Sequence, residues 1–294
     1  MPDAQAAPAG AFPACCPSFV PLAAIGTLML TVARGFSAEL AATDATQPSA
    51  ASLFQAPTLD RLAFVGEKLA EWKVVLGGGA LIAPKFEGSD EYEVSPVPFV
   101  SAAFGDWMTF DPRGATVGLR PIGGVHLSAR LGYDTGRQKD DSAHLRGLGD
   151  IDFGAVLGVR AAYQAGPLEF YTALDRIVGG SDGLQARFGA DASFSYERFR
   201  ITAGISATWS DETYMSAYFG VTPLQSLRSG LPIYSLGAGL KRFDVTAAAT
   251  YMVTDKWLVR GQAGFGYLLG DAGDSPIVQS KSQPSGMLTI GYRF

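Results

Sequence analysis

From residue 72 to the end of the chain, apolar and polar residues alternate with a period of two. This period is typical of β-strands that have one apolar and one polar face. The runs are about twice as long as the five or six residues of an average soluble strand. A tilted strand needs about 9–11 residues to cross a bilayer, and each run is long enough. The pattern therefore predicts membrane-spanning β-strands.

The last eight residues, Met287 to Phe294, show the pattern most clearly. Leu288, Ile290, Tyr292 and Phe294 fall on one face of an extended strand, and the chain ends on the aromatic residue. Chain termini usually fray. An apolar strand that ends in an aromatic residue suits the closing strand of an outer-membrane barrel. An ordinary edge strand that reaches the terminus is the alternative.

The alternation predicts an all-β fold, a transmembrane antiparallel β-barrel of twelve strands that occupies residues 72–294. Twelve strands place both termini in the periplasm. Connections 84–93 and 270–283 then face outside, whereas the long connections 135–149 and 210–230 face the periplasm. Because periplasmic turns are normally short, a ten-stranded barrel is the alternative. The predicted strands are 72–83, 94–104, 107–120, 122–134, 150–164, 167–178, 184–197, 199–209, 231–241, 243–254, 256–269 and 284–294.

Aromatic residues cluster at the ends of these runs. Amphipathic rings suit the headgroup level on either side of a membrane, which supports the barrel interpretation. The residues are Trp72, Trp107, Tyr133, Tyr163, Tyr196, Trp209, Trp257 and Tyr267.

The segment before the barrel differs in composition. Residues 17–33 are uncharged and apolar and are followed by small residues, which predicts a signal peptide within 1–42. Residues 43–71 are predicted to be a flexible periplasmic lead-in, with a short amphipathic helix possible at 58–72. Both cysteines, Cys15 and Cys16, lie in the leader. No later stretch approaches the roughly 18 apolar residues of a transmembrane helix.

Charge narrows the class of partners. The net charge of −5 argues against a nucleic-acid surface. Charged residues of both signs fall on the predicted inner face of the barrel. They favour a lumen filled by salt bridges, with a narrow polar passage as the alternative. This set is Arg130, Asp134, Asp152, Arg160, Glu169, Asp175, Arg187, Asp191, Glu197, Arg200 and Arg260.

Catalytic and cofactor-binding patterns are weak. The two histidines, His126 and His144, have no metal-ligand spacing. Ser128 beside His126 is the one local nucleophile–base candidate, and residues two apart on one strand seldom form such a pair. The glycines at 77–79 open no helix and are interpreted as bends or close-packing positions. The acidic residues from Glu87 to Glu91 are interpreted as a solvated loop tip, with divalent-cation binding as the alternative. The sequence predicts no catalytic, cofactor or metal site.

Several short motifs resemble the MipA/OmpV family of MltA-interacting outer-membrane proteins over residues 72–294. Each motif is modest, and their order and spacing together are specific. They include a proline–aromatic–Gly-Ser motif, prolines interpreted as entering the second strand, a mid-chain loop motif, a Phe-Gly-Val loop and the carboxy-terminal strand. In this chain they are Pro84–Ser89, Pro96 and Pro98, Leu145–Asp150, Tyr218–Val221, Trp257, Asp274–Val278 and Gly291–Phe294.

The resemblance implies an outer-membrane protein without known enzymatic activity. It implies a scaffold that joins a lytic transglycosylase to a penicillin-binding synthase, with contacts to membrane lipid and lipopolysaccharide. A small-solute pore and a surface adhesin are the alternatives. Residues 136–149 and 211–230 are the expected partner surfaces, because these loops are long and are expected to face the periplasm. The oligomeric state stays open.

Overall fold

The computed structural model describes residues 73–105, 107–119 and 124–294. The predicted leader (1–42), the predicted lead-in (43–71) and the possible helix at 58–72 lie outside these residues. Within the described part of the chain, no helix is long and apolar enough to cross a bilayer.

The described residues form a closed antiparallel barrel of twelve strands, which confirms the predicted fold class. Strands that are neighbours in the sequence pair with each other, and β12 pairs with β1 to close the barrel. The strands are β1 (Lys73–Pro84), β2 (Tyr92–Phe104), β3 (Met108–Asp111), β4 (Gly114–Gly118), β5 (Val125–Asp134), β6 (Gly154–Ala165), β7 (Leu168–Val178), β8 (Leu184–Tyr196), β9 (Phe199–Ser210), β10 (Gly239–Met252), β11 (Trp257–Leu268) and β12 (Ser282–Arg293).

Within the described residues, three short α-helices and one 3-10 helix lie in the connections between strands. They are the 3-10 helix Ala143–Leu145 and the α-helices α1 (Glu212–Phe219), α2 (Pro223–Ser229) and α3 (Gly270–Gly273). Asp211 caps α1, since its side chain accepts from the backbone N–H of Tyr214. Thr222 and Gln225 form a capping box at the start of α2, with Pro223 in its first turn.

The number of strands is as predicted, but two of the predicted strands are wrong. Residues 107–120 were predicted to form one strand, and they contain the hairpin β3–β4, which turns at Pro112 and Arg113. Residues 231–241 and 243–254 were predicted to be two strands, and the structure has only β10 there. The first error missed one strand and the second added one, so the total of twelve is unchanged.

A β-bulge explains the second error. The register between β10 and β9 shifts between Leu240 and Arg242. A bulge adds one residue to a strand and inverts the phase of its alternation. As a result Leu240 and Phe243, three residues apart, are both exposed on the outer wall. In the sequence this change of phase has the same appearance as a strand boundary.

The first error reverses the predicted direction of the strands that follow the hairpin. With β3 and β4 counted separately, connections 85–91, 135–153, 211–238 and 269–281 all leave the same end of the barrel. Described turns at the other end are short, as at 166–167 and 197–198, and both β1 and β12 have their terminal ends there. Short turns and termini mark the periplasmic end. The prediction that 136–149 and 211–230 face the periplasm is therefore wrong.

The predicted two-faced strands are present. Large apolar side chains such as Phe188, Ile205 and Leu288 are exposed on the outer wall. Asp152 and Glu197 are exceptions in the predicted lumen set, because they lie in connections outside the strands. The other members occupy inward positions: Arg130, Asp134, Arg160, Glu169, Asp175, Arg187, Asp191, Arg200 and Arg260.

The barrel wall has a gap beside β2, which we call the side gap. The hairpin β3–β4 is short, so β2 pairs with β3 only over Ala102–Phe104. Residues 92–101 of β2 pair with β1 and with no second strand among the described residues. The side gap lies between this stretch and β5, above the hairpin tip Asp111–Gly114.

Two prolines mark the half-paired stretch of β2. Pro96 and Pro98 lie in the middle of this strand rather than at its entrance, where they were expected. Proline has no N–H to donate and is found in sheets at unpaired edges. The half-paired stretch supplies such an edge, and the prolines also make it a poor template for another strand.

Candidate functional site

The four long connections, 85–91, 135–153, 211–238 and 269–281, pack together at the outer end of the barrel, and we call this assembly the outer cap. Its main apolar cluster centres on α1, whose Tyr214, Met215, Tyr218 and Phe219 are buried. These side chains pack with inward-facing residues near the outer ends of the strands. The strand residues in this cluster are Val156, Ile177 and Leu268. Apolar side chains therefore fill the outer mouth of the barrel.

A second apolar cluster joins the connections to one another. It contains Phe86, Leu145, Leu148, Val221 and Ile277, at least one from each of the four. All five side chains are buried, although they come from connections between strands. The outer cap thus has an apolar core of its own rather than being a set of separate loops.

Buried polar contacts fix α1 in the outer cap. Arg137 Nη1 donates to the carbonyl oxygen of Tyr218 at 2.6 Å, and Ser275 Oγ donates to that of Phe219 at 2.6 Å. These bonds satisfy carbonyl groups at the end of the helix. Burial lowers the pKa of Arg137 to about 10, so its guanidinium stays charged at neutral pH. Burial and the carboxylate of Asp134, which accepts from the Tyr218 hydroxyl at 2.8 Å, raise the pKa of Tyr218.

A buried ion cluster lies where the outer cap meets the lumen. Glu87 accepts from Lys241 Nζ at 3.0 Å and from Arg242 Nη1 at 3.4 Å. Arg242 Nε also contacts Asp244 at 2.6 Å. The side chains of Glu87, Lys241 and Arg242 are 6%, 2% and 4% exposed, so these charges depend on one another for stabilisation.

The bulge in β10 makes this cluster possible. In a regular strand, consecutive residues point to opposite faces. The extra residue at the bulge lets both Lys241 and Arg242 turn away from lipid. Tyr214 of α1 completes the contact, since its hydroxyl lies 3.3 Å from Lys241 Nζ. The cluster thus joins the first connection, α1 and β10.

We expect the outer cap to loosen in acid through Glu87. Burial by itself would raise the pKa of Glu87, but Lys241 and Arg242 hold it below its ordinary value of 4.5. A depressed carboxyl pKa stabilises the folded state above the ordinary value, and this contribution is lost as the pH falls through the folded pKa. Protection of the amides in 85–91 and 211–219, measured against the intrinsic exchange rate at each pH, should therefore fall below pH 4.5. In Glu87→Gln this pH dependence should be absent, and an unchanged acid response in that variant would contradict the assignment.

Below the outer cap the lumen contains a polar cavity of about 140 Å³. Its lining includes Arg113, Arg130, Asp175, Asp191 and Arg260. Nearby, Arg160 Nη2 contacts Glu169 Oε1 at 2.8 Å. Salt bridges were predicted to fill the lumen, and the structure shows ion pairs together with open space.

The structure also places the residues considered for chemistry. His126 and Ser128 lie on the same face of β5, two residues apart. His144 lies in the outer cap, where its Nε2 is 3.2 Å from the carbonyl oxygen of Pro276. Among the described residues, no group of three or more His, Cys, Asp or Glu side chains could hold a metal ion.

A family model described as "MltA-interacting protein MipA" matches residues 76–294. The chain belongs to the MipA family. The MltA-interacting protein of Escherichia coli (strain K12) is 26% identical over 232 residues, which are 76% of this chain and 92% of the relative. The protein of that name from Shigella flexneri matches to the same extent. Membership and the closed barrel place the chain in the bacterial outer membrane.

Solved outer-membrane barrels resemble this MipA-family chain only distantly. The COG4313 outer membrane channel from Pseudomonas putida F1 has a TM-score of 0.43 and 14% identity, covering 82% of this chain and 100% of that one. The translocator domain of the autotransporter NalP from Neisseria meningitidis has a TM-score of 0.41 and 13% identity, covering 80% of this chain and 91% of that one.

The main polar residue that the sequence analysis missed in this MipA-family chain is Glu87. It was interpreted as part of a solvated acidic tip, but it is buried against Lys241 and Arg242. The available signal was the pair of adjacent cations at the phase change after Leu240. Two buried cations require a carboxylate, but the sequence does not show which one.

Proposed function

We propose that this protein is an outer-membrane docking partner of a lytic transglycosylase, and that it binds this enzyme at its periplasmic end. The name of the relatives, MltA-interacting protein, supports an interaction of this kind. A peptidoglycan-cleaving enzyme works in the periplasm, where murein lies. The end of the barrel that carries the short turns and the termini is therefore the accessible one.

The strongest local candidate for the contact is a patch that we call the periplasmic rim patch. It consists of Glu197, Arg198, Asp255 and Lys256, in the turns that follow β8 and β10. All four residues are exposed. Arg198 Nη1 donates to the carbonyl oxygen of Val253 at 3.0 Å, which joins the two turns. Exposed charges of both signs at one place suit a complementary polar interface.

Reversing charge in this patch should weaken capture of the enzyme. For Arg198→Glu combined with Lys256→Glu, we expect affinity for a purified lytic transglycosylase to fall by about tenfold, from loss of complementary charge. Surface-immobilised barrel in neutral detergent would measure this. Arg228→Glu on α2 is the control, because it changes charge at the outer end.

The controls also define the result that would contradict the proposal. If the rim variant captured the enzyme as well as the wild-type protein does, and the Arg228 variant did not, the interface would lie at the outer end and the proposal would be wrong. Each variant must first show the heat-dependent gel mobility of a folded barrel.

Bridging to a penicillin-binding synthase is a further part of this proposal and requires a second contact. It predicts that one barrel retains the transglycosylase and the synthase together. Co-elution of all three proteins, against pairwise mixtures, would test it. We infer that the chain acts by binding rather than by catalysis, since His126 and Ser128 lie two residues apart on one strand face, where a nucleophile–base pair seldom forms.

The pore remains the second candidate because the lumen contains a polar cavity. The apolar packing of α1 against Val156, Ile177 and Leu268 argues against an open channel. Surface adhesion has less support, since no feature of the outer cap indicates a particular receptor.

A further inference from the structure

Two arginines converge on the lumen cavity beside the tip of the β3–β4 hairpin. Arg113 occupies the hairpin tip, and Arg130 lies on the inner face of β5. Arg187 of β8 joins them in an adjoining cavity. The guanidinium of Arg113 is within electrostatic range of Arg130 and Arg187. Like charges repel one another, so an anion between them would stabilise this arrangement.

Other cations of the cavity already have partners. Arg160 pairs with Glu169 at 2.8 Å, and Arg260 donates to Thr250 and Gln262 at 3.1 and 3.2 Å. By contrast, Arg130 Nε is buried without a hydrogen-bond partner. Within the described residues, the guanidinium of Arg113 makes no hydrogen bond or ion pair. A buried donor without a partner costs free energy, which a bound acceptor would recover.

The carboxylates in the same cavity attract these arginines, as Asp111 attracts Arg113, without binding their guanidinium groups. Asp111 accepts from the backbone N–H of Arg113 at 2.8 Å rather than from its guanidinium. Asp175 and Asp191 line the cavity as well, and within the described residues Asp175 forms no salt bridge with Arg113 or Arg130. Arg113 and Arg130 therefore have guanidinium donors that no carboxylate is seen to bind directly.

Gly132 leaves room for the Arg130 side chain against the inner wall of the barrel. A Cβ atom at Gly132 would lie 3.0 Å from Arg130 Nε and 3.1 Å from its Nη2. The guanidinium can therefore lie flat along β5, over a residue that has no side chain. This leaves the centre of the cavity, about 140 Å³, open.

The side gap and the cavity meet at one element, the hairpin tip Asp111–Gly114. The hairpin tip that carries Arg113 is also the lower edge of the gap. Residues 92–101 of β2 form one side without a second strand neighbour in the described structure. An amphiphile with its chain at the side gap would have its head group at the level of the hairpin tip that carries Arg113.

From these observations we propose that the cavity binds a phosphate group through Arg113 and Arg130. Guanidinium groups recognise phosphate through paired N–H donors, and two of them can bind several of its oxygens. The side gap favours a phosphate carried by a lipid-like amphiphile over a free ion. This site is separate from the periplasmic rim patch and does not depend on the enzyme partner.

Calorimetric titration of the full chain in dodecyl maltoside would test the site. The probes are dodecyl phosphate, inorganic phosphate and dodecanoate. We expect dodecyl phosphate to bind best, with each of Arg113→Gln and Arg130→Gln lowering affinity roughly tenfold, the scale of a charged hydrogen bond. Arg146→Gln, an exposed arginine of the outer cap, should leave affinity unchanged. Arg113→Lys should retain part of the affinity, because it keeps the charge but loses the fork of donors.

The outcomes are distinct. Binding of dodecyl phosphate alone would support the site and assign a lipid-like ligand, whereas equal binding of inorganic phosphate would support the site and assign a soluble one. Equal binding of dodecanoate would overturn the assignment to phosphate. No binding of any probe, or the same affinity in folded Arg113→Gln and Arg130→Gln proteins, would overturn the site itself.

Discussion

Replacing Gly79 with valine is expected to destabilise closure of the barrel. Gly79 of β1 is paired with Thr289 of β12, at the seam where the last strand meets the first. A Cβ atom at Gly79 would overlap the carbonyl oxygen of Leu288 and lie 2.7 Å from the side chain of Thr289. Main-chain atoms cannot move away as a flexible side chain can. We therefore expect destabilisation of about 3 kcal/mol, at the upper end for overpacking.

The neighbouring glycine provides a matched control. A Cβ atom at Gly78 would have the carbonyl oxygen of Val97 as its nearest neighbour, 3.8 Å away, so valine should be tolerated there. Refolding into detergent, followed by heat-dependent gel mobility and urea titration, would compare the two variants. Equal folding of Gly79→Val and Gly78→Val would show that close approach at the seam does not require glycine.

Replacing Glu87 with glutamine is expected to release the outer cap while the barrel stays closed. This change leaves Lys241, which is 2% exposed, without its carboxylate partner. Removing one partner of a buried ion pair costs about 3–5 kcal/mol, because a buried charge is left uncompensated. Since Lys241 and Arg242 lie at the outer end of β10, beside α1, the cost should appear mainly in the outer cap. We expect faster amide exchange in 211–219 and, in planar bilayers, conductance that the wild-type protein lacks.

Two further variants distinguish loss of the buried ion pair from a general effect of removing a charge in this connection. Asp90→Asn makes a similar change at an exposed residue of the same connection and should alter neither measurement. Adding Lys241→Met to Glu87→Gln removes the uncompensated charge and should recover part of the lost stability. Steady conductance of the wild-type protein, equal to that of Glu87→Gln, would contradict a sealed outer mouth and favour the pore.

The sequence was sufficient for the class of fold, because a membrane imposes a simple rule on each strand. Lipid outside and polar groups inside require alternation at every second residue, as Phe188 and Arg187 illustrate on β8. Local pattern was therefore enough to predict long antiparallel strands, a closed barrel and the inward position of most lumen charges. The family motifs gave the resemblance that the comparison with known proteins confirms.

The tertiary structure alone decided how the ends of the barrel are arranged. The side that a connection faces depends on the number of strands before it. The turn at Pro112 and Arg113, hidden within one alternating run, therefore reversed the predicted side of every connection from the hairpin to Gly230. The bulge before Arg242 inverted the alternation of inward and outward residues along β10. In the sequence such an inversion cannot be distinguished from the end of one strand and the start of the next. Glu87 is 154 residues from Lys241 in the chain. Such pairing arises only when distant connections meet, because periodicity describes each strand by itself and carries no information about which loops come together.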